Sequence, residues 1–401
     1  MIVEILIALF VGILAGTFTG IAPGIHINLV ALLLLIISPS LLQFTTPIVL
    51  AIFIVSMSIT HTFLDFITGI FLGAPEESTA MSVLPGHQLL REGKGYEAVR
   101  LTTFGCYIGL ILLVLVIPLS LFIVPAIYNW MKIAIPYILI LASAFLIIKE
   151  EKGKKFLAFF IFMLSGILGI AVLNLHVITQ PLFPLLTGLF GTSMLLTSIS
   201  QKTKIPKQKI TPMLIEKKET GKTIFLGIIS SAICAFMPGL GSSQAAVLGT
   251  SFYKKISQRG FLILLGIISI LVTGLNFAAL YIINKPRSGT SVIIGKLMQD
   301  ITLNHLAIFC ITMLVAGSIA VFLSGFFAKF FARNIDKINY SVLSCIILVI
   351  LTLMTLILSG PLSIIVLITA TALGIIAIEM GIKRIQLMGC LIVPVILYFL
   401  L

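Results

Sequence analysis

Residues 12–24 read GILAGTFTGIAPG, and residues 227–239 read GIISSAICAFMPG. In each, an apolar run opens on a glycine and breaks at a Pro-Gly, Pro23-Gly24 in the first and Pro238-Gly239 in the second. Proline removes a backbone donor and clashes with the preceding helical turn, so each run reads as a helix interrupted partway. Hydrophobic segments interrupted at corresponding places in two halves of a chain point to the binding site of a secondary transporter.

Composition places those segments in a bilayer. Of 401 residues 59% are hydrophobic and 10% charged, with mean hydropathy +1.23, too little charge to cover a soluble protein of this length. Apolar stretches of about 20 residues, the length that spans a bilayer, follow one another throughout. The longest polar stretch, Gln201 to Lys222, holds seven lysines. It divides a first membrane repeat, 1–200, from a second, 222–401, with 201–221 as a basic cytoplasmic linker. The N-terminus lacks the basic n-region of a signal peptide, so Met1 is expected to begin the mature protein. Cys106, Cys234, Cys310, Cys345 and Cys390 are scattered without metal or redox spacing. The net charge of +13 is read as a record of topology and not as a nucleic-acid surface.

The chain parses as a broken pair 2–22 and 26–38, a span 46–72, a short broken pair 74–92, and spans 99–126, 132–148, 156–174 and 181–199. The second half repeats this order: a broken pair 222–237 and 242–253, a span 260–283, a short pair 286–300, and spans 303–329, 339–358, 361–380 and 385–401. Two internal matches support the alignment. Ile67-Thr68-Gly69 recurs as Val272-Thr273-Gly274, and Pro75 with Thr79 recurs as Pro286 with Thr290.

If each broken pair is a hairpin that enters and leaves by one face, each half has five crossings, and the second half is inverted. With both termini outside, 22 of the 26 basic residues then fall in cytoplasmic segments, leaving Lys132, Lys285, Arg287 and Lys296 outside. Treating the hairpins as full spans would split the basic clusters between faces, against the positive-inside rule. The expected fold is an all-α integral membrane protein of two inverted-topology repeats, each with two re-entrant hairpins and about five full transmembrane helices.

Several stretches carry a family resemblance: GTFTGIAPGIHINLVALLL, GAPEESTAMSVLPGHQLLREGKGYEAVRL, FPLLTGLFG, MPGLGSSQAAVLG and GIKRIQLMGCLIVPVIL. Together they resemble the large membrane subunit of the tripartite tricarboxylate transporters, the TctA family, along nearly the whole chain. The resemblance implies a permease of the cell (cytoplasmic) membrane for organic carboxylates, driven by an ion gradient and served by an extracytoplasmic binding protein and a small membrane subunit. The chain departs from the family at Pro75-Glu76-Glu77-Ser78 and Leu84-Pro85-Gly86-His87-Gln88, one residue shorter than the usual pattern, which leaves the substrate open.

The chemistry follows from the breaks. A helix restarted within the bilayer exposes unpaired N–H groups equivalent to about half a positive charge, able to hold a carboxylate or phosphate. His26 and Asn28 follow Pro23-Gly24; Gly241, Ser242, Ser243 and Gln244 follow Pro238-Gly239. The alternative is that each Pro-Gly only turns the chain between two spans. The short hairpins add Ser78, Thr79, Gly289, Thr290 and Ser291. Arg287 reads two ways, as a bidentate partner of an anion or as a charge presented to water. Glu76 and Glu77 are candidates for coupling a cation or proton, or solvated hairpin tips. His61 and Asp65, four apart on one helix face, could relay protons or bind a cation, or fasten neighbouring helices.

No nucleophile with a base and no cluster of metal ligands stands in the sequence, so an enzyme is not expected. No cofactor is called for beyond a bound Na+. The expected partners are a small anionic substrate, membrane lipid and the two family subunits; a homodimer is open, and nucleic acid is not expected. A rival reading is a stand-alone carrier or flippase for a lipid-linked or small phosphate, which Ser- and Gly-rich hairpins would serve equally.

Overall fold

The computed structural model describes every residue except 1, 24–26, 75–78, 152, 176, 201–205, 214, 216, 237–240, 252–255, 299, 338 and 339. Among the described residues there are helices and no strands, and nine helices are long and apolar enough to cross a membrane.

The first break appears as two helices, α1 (Ile2–Ile21) and α2 (Ile27–Leu41), followed by α3 (Pro47–Ile67), which continues as a π-helical turn over Thr68–Leu72. Pro47 at the first helical position suits a helix start. Three glycines on one face of α1 let it lie directly on α3. A Cβ at Gly12 would meet Ser56 Oγ at 2.0 Å, one at Gly16 would meet the Met57 carbonyl at 2.4 Å, and one at Gly20 would meet Leu64 Cβ at 2.8 Å. Small residues four apart permit this approach in lipid, where packing and not hydrophobicity holds helices together. The contacts advance together along both chains, so α1 and α3 run parallel. Thr45 donates to the Glu4 carboxylate, which puts the start of α3 beside the start of α1. The pair α1–α2 therefore enters and leaves by one end, as the hairpin reading expects.

Residues 80–91 form a 3-10 turn and α4 (Val83–Arg91), and α5 spans Gly95–Ile148. The short pair expected over 74–92 is thus one short helix among the described residues. The spans expected at 99–126 and 132–148 are one helix of 54 residues containing Pro118, Pro125 and Pro136. Drawn straight it would be about 80 Å long. Its last turn, at Leu146, lines the same cavity as Gln88, just before its first turn, so it folds back on itself, as prolines within a helix allow.

Then come α6 (Lys155–Leu173), α7 (Leu182–Leu186), a π-helical stretch Thr187–Thr192 and α8 (Ser193–Ser200). In the second half are α9 (Lys217–Phe236), α10 (Ser242–Ser251), α11 (Gln258–Ile282), α12 (Gly289–Leu297), α13 (Leu303–Asn334), α14 (Tyr340–Ser359), α15 (Ser363–Glu379), a 3-10 turn Arg384–Met388 and α16 (Gly389–Leu400). The second short pair is also a single helix, α12.

Several glycine contacts in the two halves share one register. Gly227, Ser231 and Ala235 on α9 stand where Gly12, Gly16 and Gly20 stand on α1. Gly12 presses on Phe53 and Ser56, and Gly227 on Leu264 and Ile267 at the same spacing. Glu219, like Glu4, reaches the start of the next long helix, accepting from the backbone N–H and hydroxyl of Ser257. Farther on, Gly389 meets Phe162 and Ser165, while Gly188 meets Leu367 and Ala370; Gly169 meets Cys390, while Gly374 meets Leu189. This register agrees with the match of Thr79 to Thr290. It corrects the other: Asp65 corresponds to Asn276, and Val272-Thr273-Gly274 is out of step with Ile67-Thr68-Gly69.

The end of α3 meets the start of α5, where Gly95 approaches Phe71. The start of α5 in turn meets the start of α11 through the Arg259–Glu97 ion pair at 2.7 Å. So α11 starts at the end of the bundle where α3 finishes.

Candidate functional site

The first restarted helix, α2, packs on α12 of the other half, and the second, α10, meets the turn Ala80–Ser82 before α4. A Cβ at Gly289, the first residue of α12, would meet Asn28 Cγ at 2.6 Å, so the Asn28 side chain lies flat on the α12 backbone. Two cavities follow from this crossing.

The first, about 530 Å³, is lined by Ala80 and Met81 of the 3-10 turn, by Pro85 and Gln88 of α4, by Ile256, Ser257, Gln258 and Phe261 at the start of α11, and by Lys383, Arg384 and Ile385 before α16, with Lys149 at its wall. The second, about 460 Å³, is lined by Gly289, Val292, Ile293 and Lys296 of α12, by Asn28, Leu32 and Leu35 of α2, and by residues 180–187 around α7. Both fall within the range of small-molecule sites. Under the packing register, Met81 corresponds to Val292, Pro85 to Lys296 and Arg384 to Phe183, so the two cavities share these three places; residues 256–261 of the first and Asn28, Leu32 and Leu35 of the second have no counterpart in the other.

The expected site residues divide as follows. Gly24, His26, Glu76, Glu77, Ser78, Pro238 and Gly239 lie outside the described residues, as does the side chain of Gln244. Pro23 ends the first limb, half-exposed. Gly241 precedes α10, and Ser242 and Ser243 begin it, both buried. Thr79 is fully buried and donates to Asp65 Oδ2 at 2.9 Å, while His61 Nδ1 lies 3.0 Å from the Thr19 hydroxyl. His61 and Asp65 therefore fasten α3 to α1 near the first break and to the first short hairpin, respectively.

The second short helix spends its hydroxyls locally. Ser288 and Ser291 form a capping box at the start of α12, and Thr290 bonds the Ser288 hydroxyl. Ser291 also accepts from the Arg287 N–H and donates to the Ser288 carbonyl, which leaves its hydroxyl no donor for a ligand. Arg287 sits over the Tyr128 ring and bonds its hydroxyl, and it lines neither cavity.

Arg384, in the sequence only one of the basic residues of the cytoplasmic segments, is 6% exposed. Its Nη2 donates to the carbonyls of Leu189 and Phe190 and to Ser193 Oγ, and its guanidinium lies 5.4 Å from the Phe190 ring. Both carbonyls lie in the π-helical stretch Thr187–Thr192, and such widenings recur at functional sites. The sequence signal that could have found Arg384 is a charge only a few residues before an apolar run that ends the chain, in the stretch GIKRIQLMG.

Among the described residues, nine helices long and apolar enough to cross a membrane define a multi-pass membrane protein. Residues 6–389 match the Tripartite tricarboxylate transporter TctA family, and the chain belongs to it. Its family is one of transporter components and not of enzymes, and in it the large subunit works with a binding protein and a small membrane subunit. An uncharacterized protein of Methanocaldococcus jannaschii is 33% identical over 408 residues, covering 98% of this chain and 99% of the relative. No solved structure matches.

Proposed function

We propose that the protein is a secondary carrier of the cytoplasmic membrane that moves a small organic anion, a di- or tricarboxylate, by alternating access between two halves of inverted topology. An inward Na+ or H+ gradient drives it. The observation that carries the reading is the pair of cavities, each made from the short helix of one half and elements of the other. The two meet at matching places, Met81 with Val292, Pro85 with Lys296 and Arg384 with Phe183, which supports a site open first to one face and then to the other.

The restarted helices α2 and α10 supply backbone N–H groups to the anion, aided by Asn28 at one and by Ser242 and Ser243 at the other. Asp65, buried beside Thr68 and Thr79, is the candidate for coupling the ion. An extracytoplasmic binding protein would deliver substrate to the cavity beside Lys296.

One observation favours a lipid-linked phosphate as a second reading. A cavity of about 280 Å³ between α5 and α13 is walled by apolar side chains such as Leu113, Ile117, Leu306 and Met313, and it would suit a hydrocarbon chain. Thermal unfolding of the purified protein with citrate, succinate or inorganic phosphate, with and without sodium, decides between them. Stabilisation by a carboxylate that depends on sodium supports the first reading. Stabilisation by phosphate alone supports the second.

A further inference from the structure

The cavity beside α16 holds a cation that the shared scaffold does not demand. At the matching place in the other cavity stands Phe183, which lines its wall without any charge. Arg384 therefore serves a need of one cavity only. Holding the π-helical carbonyls accounts for part of that need, but Nη2 alone meets it. The remaining N–H groups of the fork are poorly used. Nε is buried without a hydrogen-bond partner, and the acceptor of Nη1 is the weak thioether of Met194 at 3.4 Å. No carboxylate among the described residues pairs with Arg384. A buried guanidinium without a counter-charge is costly, and the cavity it lines adds Lys149 and Lys383 at the same wall. Lys383 is itself 3.3 Å from Glu150, so Arg384 is the cation in greatest need of an anion.

We propose that this cavity binds a carboxylate group of the transported anion, with Arg384 as its anchoring cation, at a subsite distinct from the two Pro-Gly breaks. Gln88 and Gln258, at the same cavity, are neutral donors for a second polar group of that anion. Because Arg384 also grips the carbonyls of Leu189 and Phe190, an anion here would be felt directly by the π-helical stretch of the first half. This rests on the anion-carrier reading and names where its anion is held.

The test is protection of a cysteine placed beside the guanidinium. Ile385→Cys, in purified protein with Cys310 and Cys345 replaced by alanine, is labelled with N-ethylmaleimide across a citrate titration, with succinate and inorganic phosphate as further arms. Citrate or succinate should slow labelling. Arg384→Gln should raise the half-protecting concentration at least about tenfold, the loss expected for one charged hydrogen bond, and Arg384→Lys should lose less. Protection unchanged in Arg384→Gln would overturn the assignment, as would absence of protection with Arg384 intact, a result that does not depend on how the variants fold. If citrate stabilises the whole protein against heat yet does not protect the introduced thiol, the subsite is wrong and the carrier reading stands. If it does neither, both fail for that anion.

Discussion

Thr79 donates a hydrogen bond to Asp65 Oδ2 across 2.9 Å, joining the end of the long buried helix α3 to the first short helix. Both side chains are buried, so the carboxylate depends on its few donors. Thr79→Val should destabilise the protein by about 1.5–3 kcal/mol, the range for a hydrogen bond to a charged group, and Thr79→Ser should restore most of it. Thermal unfolding in detergent measures both. An unchanged midpoint in the valine variant would show that the bond carries no weight. If Asp65 couples the ion, Asp65→Asn should also remove any dependence of ligand stabilisation on sodium.

The seam between α1 and α3 predicts a sharp contrast between glycines. Gly16→Val puts atoms into the Met57 carbonyl, where even a Cβ would stand at 2.4 Å, and neither backbone can yield without parting the helices. Loss of about 1–3 kcal/mol or more is expected, seen as a lowered unfolding temperature or failure to accumulate. Gly221→Ala meets nothing within 4 Å and should leave stability unchanged or slightly raised.

For the second break, Ser242→Ala combined with Ser243→Ala removes two buried donors at the start of α10. Each donor to an anion is worth on the order of 1.5–3 kcal/mol, so apparent affinity should fall at least about tenfold with folding intact. The same pair of changes at Ser198 and Ser200 should leave affinity unchanged. Equal affinity in both double variants would remove these hydroxyls from the site.

Topology has its own check. Gln208 bonds the Gly95 N–H and the Leu90 carbonyl, and Lys383 pairs with Glu150, which gathers most of the basic segments at one end of the bundle. Lys209→Cys should resist an impermeant maleimide added to whole cells, and Lys285→Cys should react. The reverse pattern would invert the protein in the membrane.

What could be read from the sequence were the features with a local cause. Proline disfavours helix continuation, so the two long breaks were legible, although Pro85-Gly86 lies within α4, and so was the kinship of Thr79 with Thr290. Features that depend on distant partners were not. Nothing local to Arg384 says that it turns inward onto Leu189 and Phe190, two hundred residues earlier in the chain. Ser291 looked like a ligand until its capping bonds to Ser288 were visible. The gap at 127–131 between two expected spans is helical, because α5 continues through it. Val272-Thr273-Gly274 matched the wrong residues because three letters of sequence cannot outweigh the register set by Gly12 and Gly227 against their neighbours.

The central claim is that the two cavities open in alternation, and distances across them test it most directly. Spin labels at Gln88→Cys with Lys383→Cys report on the first cavity, and at Leu32→Cys with Lys296→Cys on the second, measured by pulsed dipolar spectroscopy without ligand and with citrate, succinate or phosphate in the presence of sodium. The account predicts reciprocal changes, one distance shortening as the other lengthens. Both distances moving in the same sense, or neither moving with a ligand shown to bind, would contradict it.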